Sequence, residues 1–220
     1  MTDTQQAGPP APAGPPGPVR KLTSPAALAL ADLAALFEDL QTVLRCCERL
    51  VEELAPKGRP LDDLALEAFW TTAVLSYARC FATGKRGTGL TEDDITATGL
   101  AGDVIGWHHM LLQMRERYAD PAINPRESFS VGVAQDNAGH AEGIAVASSR
   151  QPDLDEVSVR QTGAVAYALS RLIDERVTAQ QEVLFTRVGA MARPALDKLP
   201  VLDLVVPAPD PAADEGSRVP

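Results

Sequence analysis

The stretch MRERYADPAIN, residues 114–124 of this 220-residue chain, sets two arginines and an asparagine at and just after an expected helix end, where they could handle a phosphate. An arginine fork can hold two phosphate oxygens at once, so Arg115 and Arg117, with Asn124 beside them, are the expected phosphate or RNA contacts. From Arg115 to Glu127 three arginines stand against Glu116, Asp120 and Glu127. A helix end closed by salt bridges is therefore the competing expectation, with Asp120 pairing an arginine. Proton transfer near neutral pH calls for imidazole. The chain has three, His108, His109 and His140. His108 and His109 are neighbours on one expected helix and diverge by about 100°, so they are not the i, i+4 pair of a helical metal site. The sequence has no His-Glu-x-x-His run and no Gly-x-Ser-x-Gly elbow. No metal, no cofactor and no nucleophilic triad is expected. Cys46, Cys47 and Cys80 lack metal-ligand spacing and read as reduced thiols, with Cys47 in the core. The basic, glycine-rich loop Thr83 to Gly89 (TGKRGTG) follows a helix rather than a strand and lacks the Gly-Lys-Ser/Thr ending of a phosphate loop.

The elements that must position these residues are mostly helices. Ser24-Pro25 opens the first, whose apolar series Leu33, Leu36, Phe37, Leu40, Val43, Leu44, Cys47, Leu50, Val51 and Leu54 keeps helical spacing. Its other face, Glu38, Asp39, Glu48, Glu52 and Glu53, reads as solvated. A second helix is expected from Pro60 to Phe81, with Asp62 and Asp63 suiting its first turn. Thr91 and Asp94 form a capping-box pattern for a third helix reaching Tyr118. Gly99, Gly102 and Gly106 lie inside it, and a close approach by another helix would explain them. After Asp120-Pro121, the alternation of Phe129, Val131 and Val133 with Ile144 and Val146 across an Asp136–Gly139 turn predicts a β-hairpin. A last helix from Asp153 to Met191 is longer than a compact domain needs, which predicts a bend or a partner helix. Gly163 and Gly189 are the places for irregularity. The fold class is thus mainly α, an antiparallel bundle of about four long helices with a small β-hairpin insertion.

Several of these segments carry a resemblance. Trp70 to Phe81 (WTTAVLSYARCF), the Gly84-Lys85-Arg86 loop, His108 or His109, and then MRERYADPAINPRE running into FSVGVA resemble HEPN-like proteins related to abortive-infection factors. The resemblance covers residues 28–200, with Tyr77–Phe81 and Arg115–Asn124 its most specific parts. It implies a helical domain in which an arginine and a histidine a few residues later meet across a dimer and cleave RNA without metal. Arg115 stands at the arginine and Asn124 at the trailing asparagine, but Asp120 and Pro121 occupy the possible histidine positions. The resemblance then implies a catalytically degenerate domain keeping an RNA or nucleotide phosphate contact at Arg115, in phage defence or a toxin–antitoxin setting. Two other readings stand beside it. One is an active metal-independent ribonuclease using His108 or His109. The other is a helical interaction protein that dimerises through its last helix.

Composition sets the remaining bounds. A formal charge of −10 opposes general attraction to nucleic acid, so any such contact must be local. Residues 1–22 and 205–220 are rich in Pro, Ala and Gly or acidic residues and read as disordered tails flanking a helical domain over 23–204. There is no signal-peptide pattern or membrane-length apolar run, so a cytoplasmic protein is expected. Its expected partners are a second copy of itself and an RNA or antitoxin-type protein, with no membrane.

Overall fold

Amphipathic periodicity becomes helix wherever a stripe of large apolar residues finds a second stripe to bury against. The computed structural model describes residues 18–55, 62–82, 84, 86–125, 127–150 and 154–202. Among them the protein is mainly helical, with one small antiparallel sheet. The order is α1 (Pro25–Leu54), α2 (Asp63–Phe81), α3 (Glu92–Ala97), α4 (Val104–Ala119), β1 (Glu127–Gln135), β2 (Ala141–Arg150), α5 (Glu156–Gly189) and α6 (Arg193–Asp197). Residues 1–17 of the expected N-terminal tail, the whole expected C-terminal tail over 205–220, the expected helix starts at Pro60 and Asp153, and the loop residues Thr83 and Lys85 lie outside the described residues. No described helix is long and apolar enough to cross a membrane.

The chain divides into two compact units, one spanning Pro25–Leu184 and one joining the chain ends. In the larger unit, Leu36, Leu40, Val43 and Leu50 of α1 are fully buried with Ala73, Val74 and Tyr77 of α2, Leu111 of α4, and Val159, Ala166, Leu169 and Ile173 of α5. Arg79 and Cys80 at the end of α2 reach Asp39 and Leu36 of α1, which makes these two helices antiparallel. Gly163 lies against Cys47, where an added Cβ would stand 3.5 Å from the cysteine's own. Seventeen residues on, Gln180 donates to the Ala26 carbonyl at 2.9 Å, so α5 also runs antiparallel to α1.

The expected third helix is two. Gly99 and Gly102 take positive φ, +66° and +94°, a conformation that ends a helix and suits only glycine. A Cβ added at either meets nothing within 4 Å, so neither glycine marks a close approach. The capping box of Thr91 and Asp94 does open α3, and Asp103, accepting from the Gly106 N–H at 2.9 Å, caps α4 separately. Gly163 does not interrupt α5, and Gly189 is its last residue.

The hairpin is longer than its apolar alternation indicated. β1 and β2 pair from Glu127 with Arg150 to Gln135 with Ala141, with an irregularity after Ala134. Asp136 closes the turn by accepting from the Ala138 and His140 N–H groups, and Gly139 supplies a φ of +87°. Phe129, Val131, Val133, Ile144 and Val146 share one face, and all are more than half exposed.

In the smaller unit, residues 18–21, expected to be part of a tail, pair with the segment after α6. Leu202 N–H donates to the Val19 carbonyl and Lys21 N–H to that of Pro200. Arg20 donates to the Leu199 carbonyl at 3.0 Å. The backbone groups of this short run are thus satisfied by the segment after α6, about 180 residues later.

Candidate functional site

Where α2, α3 and α4 meet, four polar side chains form a chain from the core to the surface. Tyr77 is fully buried on α2, and its hydroxyl is 3.0 Å from His108 Nδ1. His108, on α4, is only 3% exposed and packs its ring against Phe81 with centroids 4.3 Å apart. Beside it His109 stands half-exposed, and its Nε2 is 2.9 Å from Glu92 Oε1, the first residue of α3. One ligand atom from each of Glu92, His108 and His109 lies within 4.8 Å of the others.

The adjacent histidines do diverge, as their helical spacing requires, but a third helix fills the gap between them. No local pattern signals this, because Glu92 is 16 and 17 residues away and reads as an ordinary acid in a first turn. α3 is fixed in place from its other side. Asp94 accepts from Thr91 N–H at 2.8 Å and pairs with Arg176 of α5. Burial alone would raise the Asp94 pKa, but the bonds from Arg176 and Thr91 outweigh it and the carboxyl is held below its ordinary value. On the far side of α4, Trp107 Nε1 donates to Thr162 of α5 at 3.2 Å, which fixes the helix rotation that presents both histidines.

Burial pushes the His108 pKa below its usual value, and the neighbouring His109 adds to this while Glu92 opposes it. The folded chain therefore takes up this proton less readily than the unfolded one. The stability this confers is complete above the ordinary value of 6.5 and is lost as pH falls through the folded value. The melting temperature is expected to decline from pH 7 toward pH 5, with a shallower decline in His108→Gln. A scan of melting temperature against pH checks this, and equal slopes in the two proteins would count against it.

The expected phosphate cluster is less convergent. Arg115 and Arg117 are both exposed near the end of α4, and two residues apart they face about 200° from one another. Asn124 lies in the following loop, where its Oδ1 accepts from Glu127 N–H at 3.3 Å. Asp120 does not pair with an arginine among the described residues, in contrast to the expectation. It is the C-cap of α4, and its carboxylate accepts from Ala122 N–H at 2.8 Å, the short reach of an Asp that opens a turn. His108 and His109 lie two turns before Arg115, toward the α3 end of the helix. His140 is at the hairpin tip, 3.2 Å from Asp136.

A second charged centre went unrecognised in the sequence. Asp39, expected on a solvated face, is 5% exposed and pairs with Arg79 of α2 and, at 2.7 Å, with Arg86 of the loop that follows. Gly87 N–H in the same loop donates to Asp32 at 2.9 Å. This loop is thus tied down on α1 through its arginine and backbone. The three cysteines are free, and Cys46 and Cys80 are buried along with Cys47, the one expected in the core; burial pushes the Cys47 and Cys80 thiols up to about 12. Comparison of the chain with protein-family models, with curated proteins and with solved structures gave no match.

Proposed function

We propose that this chain is a catalytically degenerate HEPN-like domain that holds an RNA or nucleotide phosphate at Arg115 without cutting it, acting in the cytoplasm in phage defence or a toxin–antitoxin setting. The observation that carries this reading is the end of α4. Arg115 is exposed on the last turns, while the positions where the resemblance calls for an imidazole hold a helix cap, Asp120, and then Pro121. With its carboxylate turned onto the Ala122 N–H, Asp120 leaves Arg115 to other anions. Both nearby histidines are engaged elsewhere, one with Tyr77 in the core and one with Glu92.

The protein in this reading is a homodimer. Beyond Ile173, α5 buries only Leu184, while Val183 is exposed and Phe185 is 80% exposed. The same exposure, with the uncovered apolar face of the hairpin, supports the other reading, an interaction protein that binds an antitoxin-type partner and no nucleic acid.

Fluorescence anisotropy with a labelled single-stranded RNA separates the two. Arg115→Ala is expected to weaken binding several-fold, and raised salt to weaken it further, because one phosphate contact releases about one counterion. Binding that ignores both changes removes Arg115 from the reading. Hydrodynamic mass on the same sample tests the dimer, and a monomer at micromolar concentration excludes it.

A further inference from the structure

We propose that Glu92, His108 and His109 form a binding site for a divalent transition-metal ion, with zinc the ion best matched to two imidazoles and a carboxylate. The site is independent of the phosphate contact at Arg115, which lies two turns further along α4.

The donor set comes first. Two imidazole nitrogens and one carboxylate oxygen are ligands that zinc takes at about 2.0–2.2 Å, and three protein ligands leave a fourth position open to water or substrate. A tetrahedral set at such bond lengths has its donor atoms roughly 3.4 Å apart. The three ligand atoms here lie within 4.8 Å of one another, so closing on an ion asks for movements of about an ångström. The side chains that would move can do so: His109 and Glu92 are each half-exposed and already touch at 2.9 Å. His108 would be the fixed ligand, held in the core by its neighbours.

Tyr77 is the second feature. A ligating histidine commonly spends its other ring nitrogen on a hydrogen bond that sets its tautomer and orientation. His108 has this arrangement, with Nδ1 3.0 Å from the Tyr77 hydroxyl. The tautomer that donates from Nδ1 to the tyrosine oxygen leaves the Nε2 lone pair for an ion. Tyr77 is a positioning residue here and touches no metal.

Glu92 is the first residue of α3, and its half-exposed side chain already has Oε1 2.9 Å from His109 Nε2. α3 holds its position through Asp94 and Arg176, on groups that the ion would not use. Among the described residues Glu92, His108 and His109 are the one group of three such side chains that converges closely enough to hold an ion, and the three cysteines are buried.

The experiment is calorimetric titration of the full chain with zinc chloride, with cobalt(II) chloride as a spectroscopic probe of the same site. One zinc per chain is expected to bind with a dissociation constant of about micromolar or below, and cobalt to give visible bands that zinc removes. His109→Ala and Glu92→Gln, both at surface positions, are each expected to weaken zinc at least about tenfold. Tyr77→Phe keeps the ring in the core and is expected to weaken it about 10- to 100-fold, the usual cost of losing such a support. His140→Ala is expected to change nothing. The proposal is overturned if zinc shows no saturable binding below about 1 mM, if the His109→Ala/Glu92→Gln double variant binds as the unaltered chain does, or if His140→Ala abolishes binding.

Discussion

Replacing Asp39 with alanine is expected to lower the melting temperature by about 5–10 °C, more than the loss of any surface ion pair in the protein. Asp39 is buried, and two guanidinium groups converge on it. Removing one partner of a buried charge pair costs about 3–5 kcal/mol, because the other charge stays desolvated and unpaired. Here the cost divides unequally between the arginines. Arg79 has a side chain 61% exposed and can turn to water, whereas that of Arg86 is 29% exposed and one of its nitrogens, Nη1, is buried without a partner even with Asp39 in place. The expected loss is therefore about 2–4 kcal/mol, with 1 kcal/mol corresponding to about 2–4 °C in a chain of this size. Asp39→Asn, which keeps the shape and loses the charge, should fall between. Arg45→Ala, which removes a pair with Glu38 in which both side chains are mostly exposed, should cost about 0–1 kcal/mol. Thermal melts of the three variants decide the matter, and an Asp39→Ala protein that melts within a degree of the unaltered chain would show that the pairs with Arg79 and Arg86 contribute nothing.

Asp39 also marks a limit of reading helices from apolar spacing. Leu36, Asp39, Leu40 and Val43 stand at i, i+3, i+4 and i+7, so the position lies on the buried stripe. Its charge led to the opposite assignment, because acids on a helix are usually solvated. The partners that make burial tolerable, Arg79 and Arg86, come 40 and 47 residues later, beyond the range of any periodicity. The split of α3 from α4 was within reach, since two glycines three apart can both stop a helix. The capping box at Thr91 was legible because its residues are local, as was the hairpin turn at Asp136 to Gly139. The meeting of Glu92 with two adjacent histidines was not, because it depends on how α3 folds back on α4. Mainly helical character and the small hairpin followed from periods of about 3.6 and 2, which each element carries within itself.

The second large effect concerns RNA. The unaltered protein, incubated in chelator with structured and single-stranded RNA, is expected to leave both intact. Cleavage by a 2′-hydroxyl needs a base that can take its proton near neutral pH and a cation near the phosphate. Arg115 can supply the second. After it the helix ends at Asp120, whose carboxylate is engaged with the Ala122 N–H, and at Pro121, which carries no proton acceptor. A missing general base costs about 10²- to 10⁴-fold in rate. His108 and His109 are not simple substitutes. They lie six and seven residues before Arg115, about 10 Å along the helix axis, and His108 is directed to Tyr77 in the core. Asp120→His and Pro121→His place an imidazole where the resemblance asks for one, and the appearance of cleavage in either, lost again with Arg115→Ala, would identify a degenerate but otherwise intact site. Chelator keeps any ion bound at Glu92, His108 and His109 out of the result. Cleavage by the unaltered chain in chelator that disappears in His108→Ala or His109→Ala would overturn the degenerate reading, and the site on the α3 side of α4 would then be the ribonuclease centre.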